Sequence, residues 1–281
     1  MPKPNVSAAE SLAIDTQLVS ELLGGFVRDE VTKVGFSDVV IGISGGVDSA
    51  VTTAIAVGAL GAEHVHGLLM PYRTSSSDSV ADAQLVCERF GVKPEIVDIS
   101  QQIDAYFAGD PEASRARRGN KMARERMSVL YDVSFARNAM VVGTSNKSEL
   151  LLGYSTIHGD AAYAINPIGD LYKTQVFSLA EHLDVPEPVR VKPPSADLWE
   201  GQTDEDDLGF TYATVDALLF ALVDERRTPV ELYDLGFDQQ LVQKVIDRVQ
   251  NSQYKRRPPL IAKVGNRTIE REFRYPRDWG R

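Results

Sequence analysis

Apolar positions along this chain alternate between two periods. Val39, Val40, Ile41 and Ile43 form a short β-branched run without helical spacing, the mark of a strand covered on both faces. Residues 64–70, 94–99 and 139–143 read in the same way. Between these runs the spacing is helical. Leu18, Leu22 and Phe26, with Val19, Leu23, Val27 and Val31, stripe a helix over 15–34 that Gly35 ends. Further helices are expected over 48–60, 77–90, 122–138 and 174–183. Strand and helix in this rhythm predict an α/β fold built on a doubly wound parallel sheet. The stripe of the first helix is broad for one domain, so part of it is expected to face a partner subunit.

The C-terminal third is helical throughout. Val215, Leu218, Leu219 and Leu222 line one helix, and Leu241, Val242, Val245, Ile246 and Val249 line another. Between them Thr228-Pro229-Val230-Glu231 is a capping box with proline at the first helical position, and Gly236 stops the short helix it begins. A single unit over 1–281 is expected, with a core over about 15–200 and a helical part and tail over 209–281. Two stretches break the pattern. Residues 106–121, with Gly109-Asp110-Pro111 and then Arg115, Arg117 and Arg118, read as a mobile basic loop. Residues 192–208, Pro-rich and then acidic, read as a lid or linker. Neither is expected to add much to the core.

Charge narrows the classes of function. The formal net charge is −10, which disfavours a broad nucleic-acid footprint. The segment 255–281 runs against this, with nine Lys or Arg facing three acids; it reads as a solvated end or as a cover for an anionic small molecule, and composition favours the former slightly. Hydrophobic residues make up 43%, enough for a full core. No apolar run approaches membrane length, and Met1-Pro2-Lys3-Pro4 lacks the apolar stretch of a secretory leader. The one cysteine, Cys87, lies in a helical pattern and is expected to pack in the interior. A cytoplasmic protein with no membrane association is therefore expected.

Candidate chemistry gathers where predicted strands end. After the first strand comes Gly42-Ile43-Ser44-Gly45-Gly46-Val47-Asp48-Ser49. The glycine pair lets the backbone turn tightly, and the following helix start offers free N–H groups and a positive dipole end to an anion. Ser44 and Ser49 add hydroxyl donors, and Asp48 suits a magnesium ion carried by a triphosphate. After the second strand stands Pro71-Tyr72-Arg73, and after the fourth Thr144-Ser145-Asn146-Lys147-Ser148-Glu149, for which plain helix capping is the competing reading. Lys173 begins a helix, a position suited to a phosphate.

Ser44-Gly45-Gly46-Val47-Asp48-Ser49 is neither a Walker loop nor a dinucleotide fingerprint; it resembles the pyrophosphate loop of N-type ATP pyrophosphatases. Further motifs keep the order of the ammonia-dependent NAD synthetases from about Leu18 to Pro259. They are Ala123-Arg124-Glu125-Arg126-Met127, Gly143-Thr144-Ser145-Asn146-Lys147-Ser148-Glu149, His158-Gly159-Asp160, Asp170-Leu171-Tyr172-Lys173-Thr174 and Lys192-Pro193-Pro194-Ser195-Ala196-Asp197-Leu198. The resemblance implies an adenine nucleotide alpha hydrolase-like sheet of about five strands with additional C-terminal helices. It implies a ligase that amidates deamido-NAD with ammonia and ATP, through an adenylated intermediate, to give NAD, AMP and pyrophosphate, the last step of NAD biosynthesis. Carried over by position, residues 42–49, Thr144, Lys173 and Ser195 would contact ATP, and Asp48 and Glu149 would hold Mg²⁺. Arg124, His158, Asp160 and Lys255 would contact deamido-NAD. Asp48, Lys173 and Asp160 would serve catalysis, Asp160 by holding or deprotonating ammonium, and Arg73 would lie near ATP. The family also implies a homodimer whose subunits share the deamido-NAD site.

Two positions depart from the family pattern. Ile157-His158 stands where many relatives have Lys-Tyr before Gly-Asp, so His158 is expected to substitute for a lysine contact. Tyr254-Lys255 stands for a His-Lys pair, so only Lys255 carries over. The chain has no room for the nitrilase-like domain of glutamine-dependent relatives, and free ammonia or a separate donor protein is expected. Two other readings compete. A thiolating pyrophosphatase would want reactive cysteines or a basic RNA surface, and a nucleotide-sensing module would not need Asp48, Glu149 and Lys173 together.

Overall fold

The computed structural model describes residues 12–199 and 201–269. Its sheet is parallel throughout. β1 (Asp38–Gly42) pairs with β2 (Val65–Leu69) on one side and β4 (Ala139–Val141) on the other, and β3 (Pro94–Ile96) lies outside β2, giving the order β3-β2-β1-β4. About five strands were expected; among the described residues four form. A single parallel bridge from Val142 to Ile165 stands beyond them, with Gly143 N donating to Ile165 O at 2.7 Å. The chain works outward from β1 to β3 and then returns to the far side of β1. The order therefore reverses between β1 and β4, and their carboxyl ends flank a crevice.

Strand side chains alternate between the two faces. Val39, Ile41 and Ile43 enter a cluster with Val27 and Val31 of α1 (Thr16–Lys33), Val51 and Ile55 of α2 (Val47–Leu60), Val86 and Cys87 of α3 (Ser77–Phe90), and Val176 and Leu179 of α7 (Lys173–His182). Val40 and Leu68 enter the opposite cluster, with Ile103 and Phe107 of α4 (Ser100–Phe107) and Met122, Met127 and Leu130 of α5 (Arg115–Arg137). Cys87 is buried as expected, and burial pushes its thiol up to about 11. On α1, Val27 and Val31 are buried while Leu18, Leu22 and Phe26 stay exposed, so the broad stripe divides into a packed edge and a bare one.

A third cluster joins the C-terminal helices to the sheet half. Leu208 of α9 (Asp204–Leu208), Val215 and Leu218 of α10 (Tyr212–Leu219), Leu232 of α11 (Pro229–Asp234) and Val242 and Val245 of α12 (Gln239–Asn251) pack with Leu152 of α6 (Lys147–Leu152) and with Tyr172. The capping box at Thr228 and Glu231 forms as read. Helix α10 closes in a π turn, where Glu225 N donates to Phe220 O at 3.1 Å.

Two readings need correction. The expected loop over 106–121 is largely helical: α4 ends at Phe107 and α5 begins at Arg115, with Ser114 accepting from Arg117 N as its cap. Arginine is a good helix former once a cap is present. Here Arg117 pairs with Asp110 at 2.6 Å, and the Arg118 guanidinium lies 4.7 Å from the centre of the Phe107 ring. Phe107 and Ala113 are core residues. The second correction concerns 192–208, which leaves the end of the short α8 (Glu187–Val191), runs irregularly and finishes in α9. It does contribute to the interior, since Leu208 and Asp204 are both buried.

Candidate active site

The first strand end builds the turn that the motif requires. Gly45 has φ +81°, and a Cβ there would lie 2.3 Å from Ser79 O, so glycine is needed for both torsion and room. Gly46 caps α2 without any side-chain cap, which leaves the first-turn amides facing outward. The hydroxyls hold the turn from inside: Ser49 Oγ donates to Gly46 O at 2.9 Å and accepts from Ser44 N at 3.2 Å, and Ser44 Oγ accepts from Gly46 N at 3.3 Å.

Across the crevice, β4 leads into α6. Asn146 and Glu149 form a capping box, Asn146 Oδ1 accepting from Glu149 N at 3.0 Å and Glu149 Oε2 accepting from Asn146 N at 3.4 Å. The capping reading holds, and each of the two residues has a second polar group turned to other side chains. Asn146 Nδ2 donates to Asp48 Oδ1 at 2.8 Å, and Glu149 Oε1 accepts from Lys173 Nζ at 3.1 Å. Lys173 Nζ also donates to Asp48 Oδ2. Residues 48, 149 and 173 are thus one cluster drawn from three helix starts.

Lys173 is 1% exposed. The start of α7 is anchored by Asp216, whose Oδ2 accepts from Thr174 N at 2.8 Å, and by Ser148 Oγ, which accepts from Lys173 N at 2.9 Å. Burial works against the ammonium charge, but Asp48, Glu149 and Asp204 outweigh it and raise the lysine pKa. Burial raises the Glu149 carboxyl to about 8; Lys173 pulls it back, while Asp48 and Asp204 push with burial. One ammonium stands among three carboxyl groups, and burial raises the pKa of both Glu149 and Asp204, so a divalent cation entering the crevice would favour their ionised forms. The described residues contain no ready cage of three or more metal-binding side chains. Two carboxylates facing a phosphate-binding turn fit Mg²⁺, which keeps waters and shares phosphate oxygens.

Arg124, His158, Asp160 and Lys255 gather around the loop 153–160. Arg124 Nε on α5 donates to Ile157 O at 3.2 Å, and Asp160 Oδ1 accepts from Thr156 N at 2.8 Å. His158 is exposed with φ +60°. Lys255 Nζ donates to Gly153 O at 2.7 Å and Ser155 O at 2.6 Å, so it braces this loop. Thr144 follows β4 and is half-buried. Ser195 lies in the segment crossing from α8 to α9, where its Oγ accepts from Asp197 N at 3.1 Å. Lys192 fastens that segment to α3 through Asp82 at 2.7 Å, beside the contact of Gly45 with the same helix. Arg73 is paired with Asp104 at 3.0 Å, and its side chain is 62% exposed. The tail beyond 269 lies outside the described residues.

Sequence reading missed Asp204, buried beside Lys173, and the Asn146 contact to Asp48. The cap position of Asn146 was a signal that could have been followed. Asp204 offered none, since it sits in an acidic run whose neighbours are solvated.

Comparison with known proteins places the chain in a family. The sequence matches the family described as NAD synthase over residues 19–259. It is 56% identical to the NH(3)-dependent NAD(+) synthetase of Trichlorobacter lovleyi over 96% of this chain and 99% of that one. It is 53% identical to the enzyme of the same name from Chlorobaculum tepidum, over 96% and 98%. Among solved structures, the NH3-dependent NAD synthetase of Campylobacter jejuni superposes with a TM-score of 0.76 at 34% identity, covering 89% of this chain and all of that one. An NMN synthetase from Francisella tularensis gives 0.79 at 30%, covering 89% and 99%. With a glycine turn, a buried Asp–Lys–Glu cluster and full-length matches all in agreement, the chain belongs to the NAD synthase family.

Proposed function

We infer that this NAD synthase carries out the ATP-dependent amidation of deamido-NAD by ammonia through an adenylated carboxylate. The observation that carries the reading is the meeting of an uncapped helix start with Asp48, Glu149 and Lys173 at one sheet crevice. ATP phosphates would lie over residues 42–49, within reach of Lys173, with Thr144 and Ser195 at the margin. The nicotinate carboxylate attacks the α-phosphorus, the bond to the β-phosphate oxygen breaks, and pyrophosphate leaves. Ammonia then adds to the carbonyl, AMP departs with the bridging oxygen, and the amide remains. Asp160, beside the loop that Arg124 braces, accepts a proton from ammonium before attack. Lys173 offsets the charge that gathers on the departing phosphates. Mg²⁺ held by Asp48 and Glu149 would supply further charge neutralisation.

The exposed edge of α1 supports a homodimer, since Leu18, Leu22 and Phe26 line a bare apolar row. Among the described residues no helix is long and apolar enough to cross a membrane. A cytoplasmic setting suits the ATP-dependent reaction and the buried free thiol of Cys87.

The test is incubation with ATP, Mg²⁺, deamido-NAD and ammonium. NAD, AMP and pyrophosphate should appear in equal amounts, and glutamine should not replace ammonium. ADP with phosphate would overturn the adenylation route. Because one structural relative is named an NMN synthetase, nicotinate mononucleotide is run alongside, and its faster turnover would reassign the acid substrate.

A further inference from the structure

We propose that Asp204 is a positioning residue that couples the seating of segment 192–208 to the cation charge at Asp48 and Glu149. The proposal rests on the magnesium reading above. Asp204 is 3% exposed, at the start of α9. Its Oδ2 accepts from Tyr212 Oη at 3.1 Å, and its Oδ1 is buried without a hydrogen-bond partner. The Tyr212 ring in turn lies 5.1 Å from Lys173 Nζ. Asp204 thus stands behind the Asp48–Lys173–Glu149 cluster, close enough for its charge to act on Lys173 and Glu149.

A buried carboxylate oxygen with no donor is unfavourable unless positive charge faces it. Lys173 alone offers one charge to three carboxyl groups, and burial already disfavours the charged form of Asp204 and Glu149. Seating Asp204 therefore adds repulsion when the cation is absent, and a divalent ion brings the group to balance. The remaining tethers of the segment are independent of that charge. Asp204 N donates to Pro194 O at 2.9 Å, Gln202 Nε2 donates to Asp207 Oδ2 at 2.8 Å, and Leu198 N donates to Gln202 Oε1 at 2.9 Å. The same segment carries Ser195, so its seating also brings an expected ATP contact to the crevice. Asp204 makes that step depend on the cation arriving, without itself being a ligand.

The experiment is hydrogen exchange on the full chain with a non-cleavable ATP analogue, with Mg²⁺ or with chelator, on wild type and Asp204→Asn. Asparagine keeps an acceptor for Tyr212 and removes the charge. In wild type, exchange across 192–208 should be slow with Mg²⁺ and on the order of fivefold or more faster with chelator. In Asp204→Asn it should be slow in both conditions, while Mn²⁺ affinity, read by paramagnetic resonance, falls severalfold. Asp204→Glu should restore metal-dependent exchange. Retention of full metal dependence in Asp204→Asn would overturn the proposal, as would fast exchange in both conditions, which marks a simple structural tether. Wild type that binds Mn²⁺ but shows no metal-dependent exchange overturns this inference alone. Wild type that binds no Mn²⁺ even with nucleotide overturns the magnesium reading, and the inference with it.

Discussion

With its ammonium buried between Asp48 and Glu149, Lys173 has two separable consequences for the protein. It neutralises carboxylates that would otherwise repel, and it presents a cation to phosphate. Removing one partner of a buried ion pair leaves uncompensated charge, which typically costs about 3–5 kcal/mol. Lys173→Ala should therefore lower unfolding stability by roughly that amount in urea titration, and Mg²⁺ should return part of the loss. The carboxylate variants should behave differently. Asp48→Asn and Glu149→Gln reduce repulsion within the cluster, so their stability loss should be smaller than that of Lys173→Ala. Their kcat should nevertheless fall on the order of 10²-fold or more, because charge neutralisation matters most as pyrophosphate leaves. A near-normal rate at saturating Mg²⁺ for either variant would remove that residue from the metal site.

At the scale of elements, the glycine turn separates folding from function. Gly45→Ala forces a Cβ into Ser79 O at a positive φ, whereas a Cβ at Gly46 meets nothing closer than Ser44 Oγ at 3.4 Å. Gly45→Ala should unfold several degrees earlier in a thermal melt. Gly46→Ala should keep its melting temperature but raise the KM for ATP, because a methyl stands where phosphate approaches the amides. The segment 192–208 provides the other prediction at this scale. Replacing Pro193 and Pro194 with Gly should loosen its crossing of the crevice and admit water to the acyl-adenylate, raising AMP formed per NAD above one. A ratio that stays at one would reduce this segment to a passive connection. Both corrected segments share one cause of misreading. Arg-rich and Pro-rich compositions point to exposure, yet Phe107, Ala113 and Leu208 are anchors whose burial depends on distant partners.

For the whole molecule, the bare row on α1 is the feature that one chain leaves unfinished. Leu18 and Leu22 are 52% and 62% exposed. Leu18→Glu with Leu22→Glu should convert the proposed dimer to monomer in sedimentation velocity and leave the fold intact, since Val27 and Val31 still bind α1 to the core. Activity should fall with the dimer if the deamido-NAD site is shared; a fully active monomer would argue for self-contained sites.

Strand and helix periods are local properties, and so is a glycine turn between an apolar run and a helix start. For that reason the parallel sheet, most of its helices and the Ser44–Ser49 turn could all be read along the chain. The same holds for the capping boxes, whose partners lie three residues apart. Charge balance is not local. Asp48, Glu149, Lys173 and Asp204 are spread across more than half the chain, and only the parallel order β3-β2-β1-β4 brings three helix starts to one crevice. A fifth strand position reduced to one bridge, and an acidic residue turned inward from a solvated run, were likewise decided by packing between distant segments. Burial sets the energetic role of a polar side chain, and burial belongs to the fold rather than to the residue.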